Sequence, residues 1–373
     1  MLLKIDPLDP LFFRNGRPFT MGEDDWAENF FPPSPGVIYG ALRTLYFSQH
    51  PEELPLAQTK DDPTAGLNIK LLYWLAGKEE LKSPHFPLPL DIVKIDGKDG
   101  LSFRLLVLHR LKDVAANCPL PWVLKSEGEK VEASGPCLLE NLALEGYLAG
   151  ERKDFAAARL NDYVFTENRV GIGRNPHTLT AEEHKLYRLP MSRLKNLSLA
   201  VEYEGLSLFP KGLLRLGGEG RAAFYSHLKE ESACVQEPQF QNDRYFKLYL
   251  ATPAFFAGGW LPGWISKKDL SGRYQKEGCE FSLQLLAAAT GKPQPVGGFN
   301  IKNKIKGPKE MRQAVPAGSV YYFKLTAGEI SEVVKCFHGR SISDYRPEEG
   351  FGIFLVGRFS QESLAAIRQE EET

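Results

Sequence analysis

The sequence predicts a loop-rich α+β protein built in two units, and three observations carry that prediction. The chain has 373 residues, more than twice the ~150 of an average domain. Hydrophobic residues make up 43% and charged residues 25%, enough apolar surface for sizeable cores, while 34 glycines and 26 prolines call for many turns. Finally, both halves alternate short apolar strands with helix-spaced apolar stripes.

In chain order, Leu2–Asp6 reads as a strand halted by Pro7 and Pro10. Residues 11–19 are extended and turn at Asn15-Gly16, a pair that favours positive φ. After the acidic Glu23-Asp24-Asp25 loop, Ser34 is placed as an N-cap and Pro35 in a first helical turn. Ile38, Leu42, Leu45 and Tyr46 then form a stripe that predicts a helix over 37–47. Residues 50–100 are rich in proline and charge, with one apolar patch at 69–75, and read as an insertion; residues 119–160 read as a second. Between them, 101–108 is a strand. Residues 163–195 form a long protruding hairpin around a loop from Arg169 to His177. Next come a strand at 197–203 and a helix at 213–228, opened at its start by Gly217-Gly218.

The polar stretch 230–243 is the expected linker. Beyond it are a strand at 245–251, a short helix at 281–289, strands at 319–325 and 352–359, and a helix over 363–372 that frays into an acidic tail. The expected units are therefore 1–235 and 236–360, with a tail at 361–373.

Several classes are excluded or disfavoured. No apolar run approaches the ~18 residues of a membrane span, with 283–289 among the longest. Pro7 comes too early for the apolar stretch of a signal peptide. Five cysteines (Cys118, Cys137, Cys234, Cys279, Cys336) are odd in number, scattered and without C-x-x-C. Neither a disulfide framework nor a zinc site is expected, and a reducing cytoplasm is the expected home. The net charge of −1 argues against a generally basic nucleic-acid coat, so any nucleic acid must meet a local basic surface.

Motifs for nucleotide or catalytic chemistry are absent: no G-x-x-x-x-G-K-[ST], no H-E-x-x-H, no G-x-S-x-G, and seven histidines without metal-ligand spacing. Cationic features stand out instead. Arg215 and Arg221 bracket Gly217, Gly218 and Gly220 at the start of the expected helix. Open amides and a helix dipole there would attract a phosphate that two guanidiniums could fork, although a tight packing loop has the same signature. Lys302, Lys304, Lys306, Lys309 and Arg312 fall within eleven residues. If extended, the first three share one face and match a sugar-phosphate backbone, though a solvated face looks alike. Arg169 and Arg174 lie on the expected hairpin, and Arg14, Arg17 and Arg43 surround the first strand and helix. Gly350 and Gly352 would let backbone approach a ligand closely, or would mark a turn entering a strand.

Taken together, D-P-L-F-F-R-N-G-R-P-F (9–19), P-x-P-G-x-x-Y-G-A-L-R (33–43) and R-L-G-G-E-G-R (215–221) resemble RAMP-superfamily proteins of CRISPR effector complexes. P-V-G-G-F-N (295–300) and A-V-P-A-G-S-V-Y-Y-F (314–323) narrow the resemblance to the third subunit of type III-B (Cmr) complexes. One departure is Phe299-Asn300, where a Trp-Asp pair is expected after glycine; a phenylalanine ring can still stack on a base.

The resemblance implies two ferredoxin-like (RRM-like) β-α-β-β-α-β domains with insertions and a protruding β-hairpin. It implies a non-catalytic RNA-binding subunit, without cofactor or metal, that grips the crRNA 5′ tag. Its implied partners are the large polymerase-like subunit and the backbone subunit, with the hairpin near target RNA. The alternative within the same superfamily is a metal-independent endoribonuclease using His50 as general acid or base. A weaker third reading makes the 217–221 loop a nucleotide site.

Overall fold

A computed structural model describes residues 1–14, 28–78, 82–95, 102–112, 119–126, 128, 130–229, 235–240, 243–276, 278–300 and 307–372, apart from the side chains of 183–185 and 300. The expected turn at 15–16, the acidic loop at 23–25, Arg17, Lys302, Lys304 and Lys306 lie outside the described residues.

The first half is organised around the Leu2–Pro7 strand, which buries Leu3 and Ile5. It pairs antiparallel with Leu197–Glu204 on one side and Ala222–His227 on the other. Among the described residues these belong to an eight-stranded sheet. Its order is Ala158–Arg159, Cys137–Glu140, Ser83–Pro87, Asn68–Ala76, Leu197–Glu204, Leu2–Pro7, Ala222–His227 and Lys211–Arg215. Helix α1 (Pro35–Gln49) lays Ile38, Leu42 and Leu45 on this sheet, against Leu3, Ile5 and Tyr203, as its stripe predicts.

Residues 50–100 correct the reading of an appended insertion, because they supply Asn68–Ala76 to the interior of the sheet. Both faces of that strand are covered: Ile69 and Trp74 join one core, Leu71 and Tyr73 another. A strand buried on both faces loses its polar alternation, which is why the patch lacks a strand signature.

The helix expected at 213–228 is instead two strands, Lys211–Arg215 and Ala222–His227, paired Leu213 to Phe224 and Arg215 to Ala222. Leu214 and Leu216 are buried while Leu213 and Arg215 are exposed. The intervening glycines hide that period of two.

In the second half, the main sheet has six strands among the described residues, in the order Ser271–Lys276, Cys279–Ala289, Val320–Ala327, Tyr245–Leu250, Ile353–Arg358 and Arg340–Ser341. The expected strands at 245–251, 319–325 and 352–359 are all present. The helix expected at 281–289 is part of the Cys279–Ala289 strand, with Phe281, Leu283 and Leu285 turned inward. Two expected helices are thus strands, and neither half follows the β-α-β-β-α-β order in full. Helix α2 (Asn141–Leu148) belongs to the first half; α3 (Ile330–Phe337) and α4 (Gln361–Glu371) belong to the second. Cys279 and Cys336 form a disulfide between strand and α3, Cα atoms 6.7 Å apart, against the expectation of none. Their separation of 57 residues conceals the pairing in sequence.

The two halves share one apolar core, in which Tyr249, Tyr322, Ile353 and Leu355 meet Leu71, Tyr73, Phe86 and Tyr147. A fully buried polar group sits inside it. Tyr147 and Tyr322 hydroxyls donate to Asp91 Oδ2 at 2.7 and 2.5 Å, and the Lys247 ammonium lies 3.3 Å from the Tyr147 ring centre.

The expected hairpin is present as Val164–Arg174 paired with Ala181–Leu194. It is anchored at its base, where Leu11 bridges to Ser192 and Phe12 packs with Leu189 and Met191. The expected 169–177 loop is mostly strand, with the turn at 175–180. Gly171 and Gly173 suggest a loop, but Gly171 makes room for the Tyr187 ring packed over it.

No helix among the described residues is long and apolar enough to cross a membrane.

Candidate nucleic-acid interface

The sequence-predicted cations fall into two groups. The first surrounds the Phe12-Phe13 segment. Phe13 is tied to Asn29, whose Oδ1 accepts from the Phe13 amide at 2.8 Å and whose Nδ2 donates to Ser192 Oγ at 2.9 Å. The segment is thereby fixed to the hairpin base. On its other side the Gly218 amide donates to the Phe12 carbonyl at 2.7 Å. Gly217 has φ +78°, and a Cβ there would lie 2.6 Å from the Phe12 carbonyl oxygen.

These contacts correct the anion-nest reading of 217–221. The Gly218 amide is already used, and a short 3-10 turn at Gly218–Gly220 leads into a strand instead of a helix, so no helix dipole points at the loop. Positive charge lies beside the loop instead of in it: Arg215 and Arg14 are exposed, whereas Arg221 pairs with Glu219, and its buried Nε has no hydrogen-bond partner among the described residues.

The hairpin adds exposed Arg174 and Arg188. Arg193 and Arg169 share one carboxylate, Glu167, at 2.6 and 3.5 Å. The Arg193 hydrogen bond holds the Glu167 carboxyl below its ordinary pKa. Glu167 is thus shared by two guanidiniums, and Asp9 also acts on Arg193.

The second group is a finger whose Gln294–Val296 pairs with Arg312–Ala314 and whose Phe299–Asn300 pairs with Gly307–Pro308. Lys302, Lys304 and Lys306 fall in the chain between the last two strands. Lys309 reaches Glu349 at 2.9 Å, and Arg312 reaches Glu310 at 2.5 Å. Arg346 Nη1 donates to the Gly297 carbonyl at 3.1 Å, tying the finger to the turn before the closing strand.

In that turn the structure corrects the open-backbone reading of Gly350 and Gly352. Both are buried with positive φ, and their amides donate to the carbonyls of Pro347 and Pro253 at 3.0 and 2.8 Å. A Cβ on Gly352 would lie 2.7 Å from the Ser343 backbone nitrogen. These glycines serve close packing. Arg43 also moves out of the candidate set: its Nε donates to Thr64 Oγ1 at 2.7 Å and its Nη2 to Asp62 at 2.6 Å, so its charge is spent internally.

Each group is tied to the segment that opens α1. Phe13, packed on Gly217, stands 6.3 Å from Phe31 ring to ring. Five residues on, which is at most ~18 Å of chain, Gly36 opens the helix against the Glu349 carboxylate that binds Lys309. Ser34 is the N-cap, as predicted, but its side chain makes no capping bond. The buried Glu349 carboxylate supplies negative charge at that end instead, where the helix dipole favours it.

Tyr345, Arg346, Glu349, Arg188 and Arg193 are not singled out by sequence. Arg346 carries a local signal, a non-glycine residue at φ +55° beside Pro347, but it is visible only in the backbone. His50 caps the C-terminal end of α1, its Nδ1 3.7 Å from Glu52 and its ring against Tyr46 and Phe209. It stands at the opposite end of the helix from Gly36. A groove of about 340 Å³ between the halves, lined by Asn68, Lys70, Tyr274, Arg340 and Ser341, contains none of the predicted cations.

A family model described as CRISPR-associated protein (Cas_Cmr3) matches residues 3–359. No curated protein matches the chain. Among solved structures the chain is similar to a chain of the type III-B Cmr-beta complex bound to cognate target RNA, at 17% identity and TM-score 0.51, covering 90% of this chain and 89% of that one. It is similar also to a chain of the same kind of complex bound to cognate target RNA and AMPPnP, at 17% identity and TM-score 0.50, covering 86% of each.

Proposed function

Because the chain belongs to the CRISPR-associated Cas_Cmr3 family, we propose that it is a non-catalytic RNA-binding subunit of a type III-B effector complex. In this reading it grips the 5′ tag of the crRNA and joins the large polymerase-like subunit to the backbone subunit. We read each half as a ferredoxin-like unit that retains one helix on the sheet, α1 in the first and α3 in the second.

What supports the reading is that the Phe12-Phe13 segment, itself packed by Phe31, and the base of the finger, through Lys309 and Glu349, are both tied to the stretch of chain that opens α1. Exposed Arg14 and Arg215 lie on the Phe13 side, and Lys309, at the base of the finger whose sequence also carries Lys302, Lys304 and Lys306, lies on the Glu349 side. Cations on separate elements suit a short single strand, whose phosphates can follow them while its bases splay away from the backbone. The arginine-bearing hairpin extends from the same base, which suits it to meet target RNA paired with the guide.

The test is affinity for a tagged crRNA across a salt series, using the full chain and a variant with Lys302, Lys304 and Lys306 replaced by alanine. The expected result is weaker binding and a log–log salt slope flatter by ~0.7 for each phosphate no longer neutralised. Unchanged affinity and slope would remove the finger from the interface. Site-specific cleavage of repeat RNA that disappears in His50→Ala would overturn the non-catalytic part of the reading. Co-purification of a tagged copy with neither RNA nor the two named subunits would overturn the rest.

A further inference from the structure

Where the two halves meet, four polar side chains are wholly buried among apolar ones. Asp91 and Tyr147 come from the first half, Lys247 and Tyr322 from the second, and none is more than 1% exposed. Lys247 and Tyr322 are register partners on neighbouring strands, so both side chains leave the same face of the second sheet. Asp91 is held in the first half by the Leu106 amide, which donates to its backbone carbonyl at 2.8 Å. Its carboxylate oxygen Oδ2 accepts one hydroxyl from each half, Tyr147 at 2.7 Å and Tyr322 at 2.5 Å. The Lys247 ammonium in turn sits over the Tyr147 ring.

Such a cluster is a poor way to stabilise an interface. Asp91 Oδ1 and Lys247 Nζ have no hydrogen-bond partner among the described residues. An incompletely bonded buried ion is less favourable there than a leucine or methionine of similar volume. What the cluster adds is direction. The surrounding contacts of Leu71, Phe86, Ile353 and Leu355 are apolar, and apolar burial discriminates weakly against a small slide of one surface over the other. A hydroxyl-to-carboxylate bond is bound by distance and angle. Two further bonds cross between the halves beside it. The Leu90 amide donates to the Gly318 carbonyl at 2.8 Å, and the Tyr249 hydroxyl to the Pro87 carbonyl at 2.6 Å.

We propose that Asp91 is a register pin: through its bond to Tyr322 it fixes how the second half docks on the first, at a cost in stability. The pin goes beyond the RNA-holding role and stands without it. Its reach is long, because exposed Arg14 and Arg215 belong to the first half and Lys309 to the second. A slide at the buried interface displaces these surface groups relative to one another, while a docking fixed by directional bonds keeps them in one arrangement.

The test compares Tyr322→Phe with Tyr147→Phe in the full chain. Each removes one hydroxyl from Asp91 Oδ2 and keeps the ring, but only the first breaks a bond between the halves. Both are expected to lower the unfolding midpoint alike. Hydrogen exchange read by mass spectrometry on the peptide that carries the Leu90 amide then separates them. It should run about 10-fold faster in Tyr322→Phe and stay within about twofold of the parent in Tyr147→Phe. A fourfold variant, Asp91→Leu with Tyr147→Phe, Lys247→Met and Tyr322→Phe, should unfold at the parent's midpoint or above it and still show the faster exchange at Leu90. Equal exchange in the two single variants overturns the pin, since a merely structural pair of hydroxyls would behave that way. So does a fourfold variant whose Leu90 amide exchanges no faster than the parent's. A fourfold variant that unfolds below the parent overturns the stability cost on which the argument for direction rests.

Discussion

Lys309 of the finger and the buried carboxylate of Glu349 form a 2.9 Å ion pair, and Glu349 in turn fills the space a side chain on residue 36 would occupy. A residue of the second half thus sits on the first turn of a helix of the first half. The contact joins the finger to α1, and its energetics can be measured.

Gly36→Ala is expected to destabilise the chain, although alanine is the better helix former by ~1 kcal/mol. The added methyl displaces Glu349, and disturbing a buried, paired carboxylate costs ~3 kcal/mol. With Glu349→Ala already in place, the same change should become neutral or stabilising. Urea unfolding of the two single variants and the double variant checks this; equal effects of Gly36→Ala in both backgrounds would show that the two residues are not coupled.

Lys247 provides a pH signature. Burial pushes its pKa down to about 7 from 10.5, with the Asp91 carboxylate opposing the shift. Between these values the unfolded chain binds a proton that the folded chain does not, so on this account stability rises with pH from about 7 to 10.5. The slope is at most ~1.4 kcal/mol per pH unit. Burial also raises the Asp91 pKa, and that group contributes the opposite slope at lower pH. Lys247→Met should be neutral or stabilising near pH 7 and should lack the alkaline rise. Denaturation of both chains over a pH series tests it, and parallel curves would contradict it.

Gly352→Ala separates packing from RNA contact. The position has φ +74° and no room for a Cβ. Left-handed backbone alone costs an alanine ~1 kcal/mol, before the clash with Ser343. The expected outcome is a lower unfolding midpoint with RNA affinity of the folded fraction unchanged, read by calorimetry and anisotropy on the same sample.

Replacing Arg14, Arg215 and Arg221 together with glutamine should weaken RNA binding and flatten the salt slope. Each phosphate released from its cation is worth ~0.7 in slope for a single strand. Slope, not affinity alone, is the deciding readout, since a misfolded variant loses affinity without following that increment.

The hairpin should be loosened from its base. Phe12 is buried with Leu189 and Met191, and Phe12→Ala is expected to cost ~3 kcal/mol. Ile172→Ser, on an exposed stretch of the hairpin, should stay within ~0.5 kcal/mol. Limited proteolysis should cut the hairpin faster in the first variant only.

The sequence by itself determined the elements whose signal is local. Ser34-Pro35 and the Ile38, Leu42, Leu45 stripe set α1; Leu2–Pro7 and the 164–194 hairpin follow from alternation and breakers; the ordered motifs pointed to the family. Tertiary structure decided the rest because the deciding contacts span the chain. Whether 213–228 and 281–289 were strand or helix depended on which neighbours covered them, since an apolar run satisfies either period until a sheet claims alternate residues. The use of Gly218, Gly350 and Gly352 depended on carbonyls from Phe12, Pro347 and Pro253, one of them more than two hundred residues away in sequence. Charge told the same story: Arg43 and Arg215 look alike in composition, but Asp62 and Thr64 hold the first while the second stands exposed on its strand. Residue type fixes what a side chain can do, and only the fold fixes which partner reaches it first.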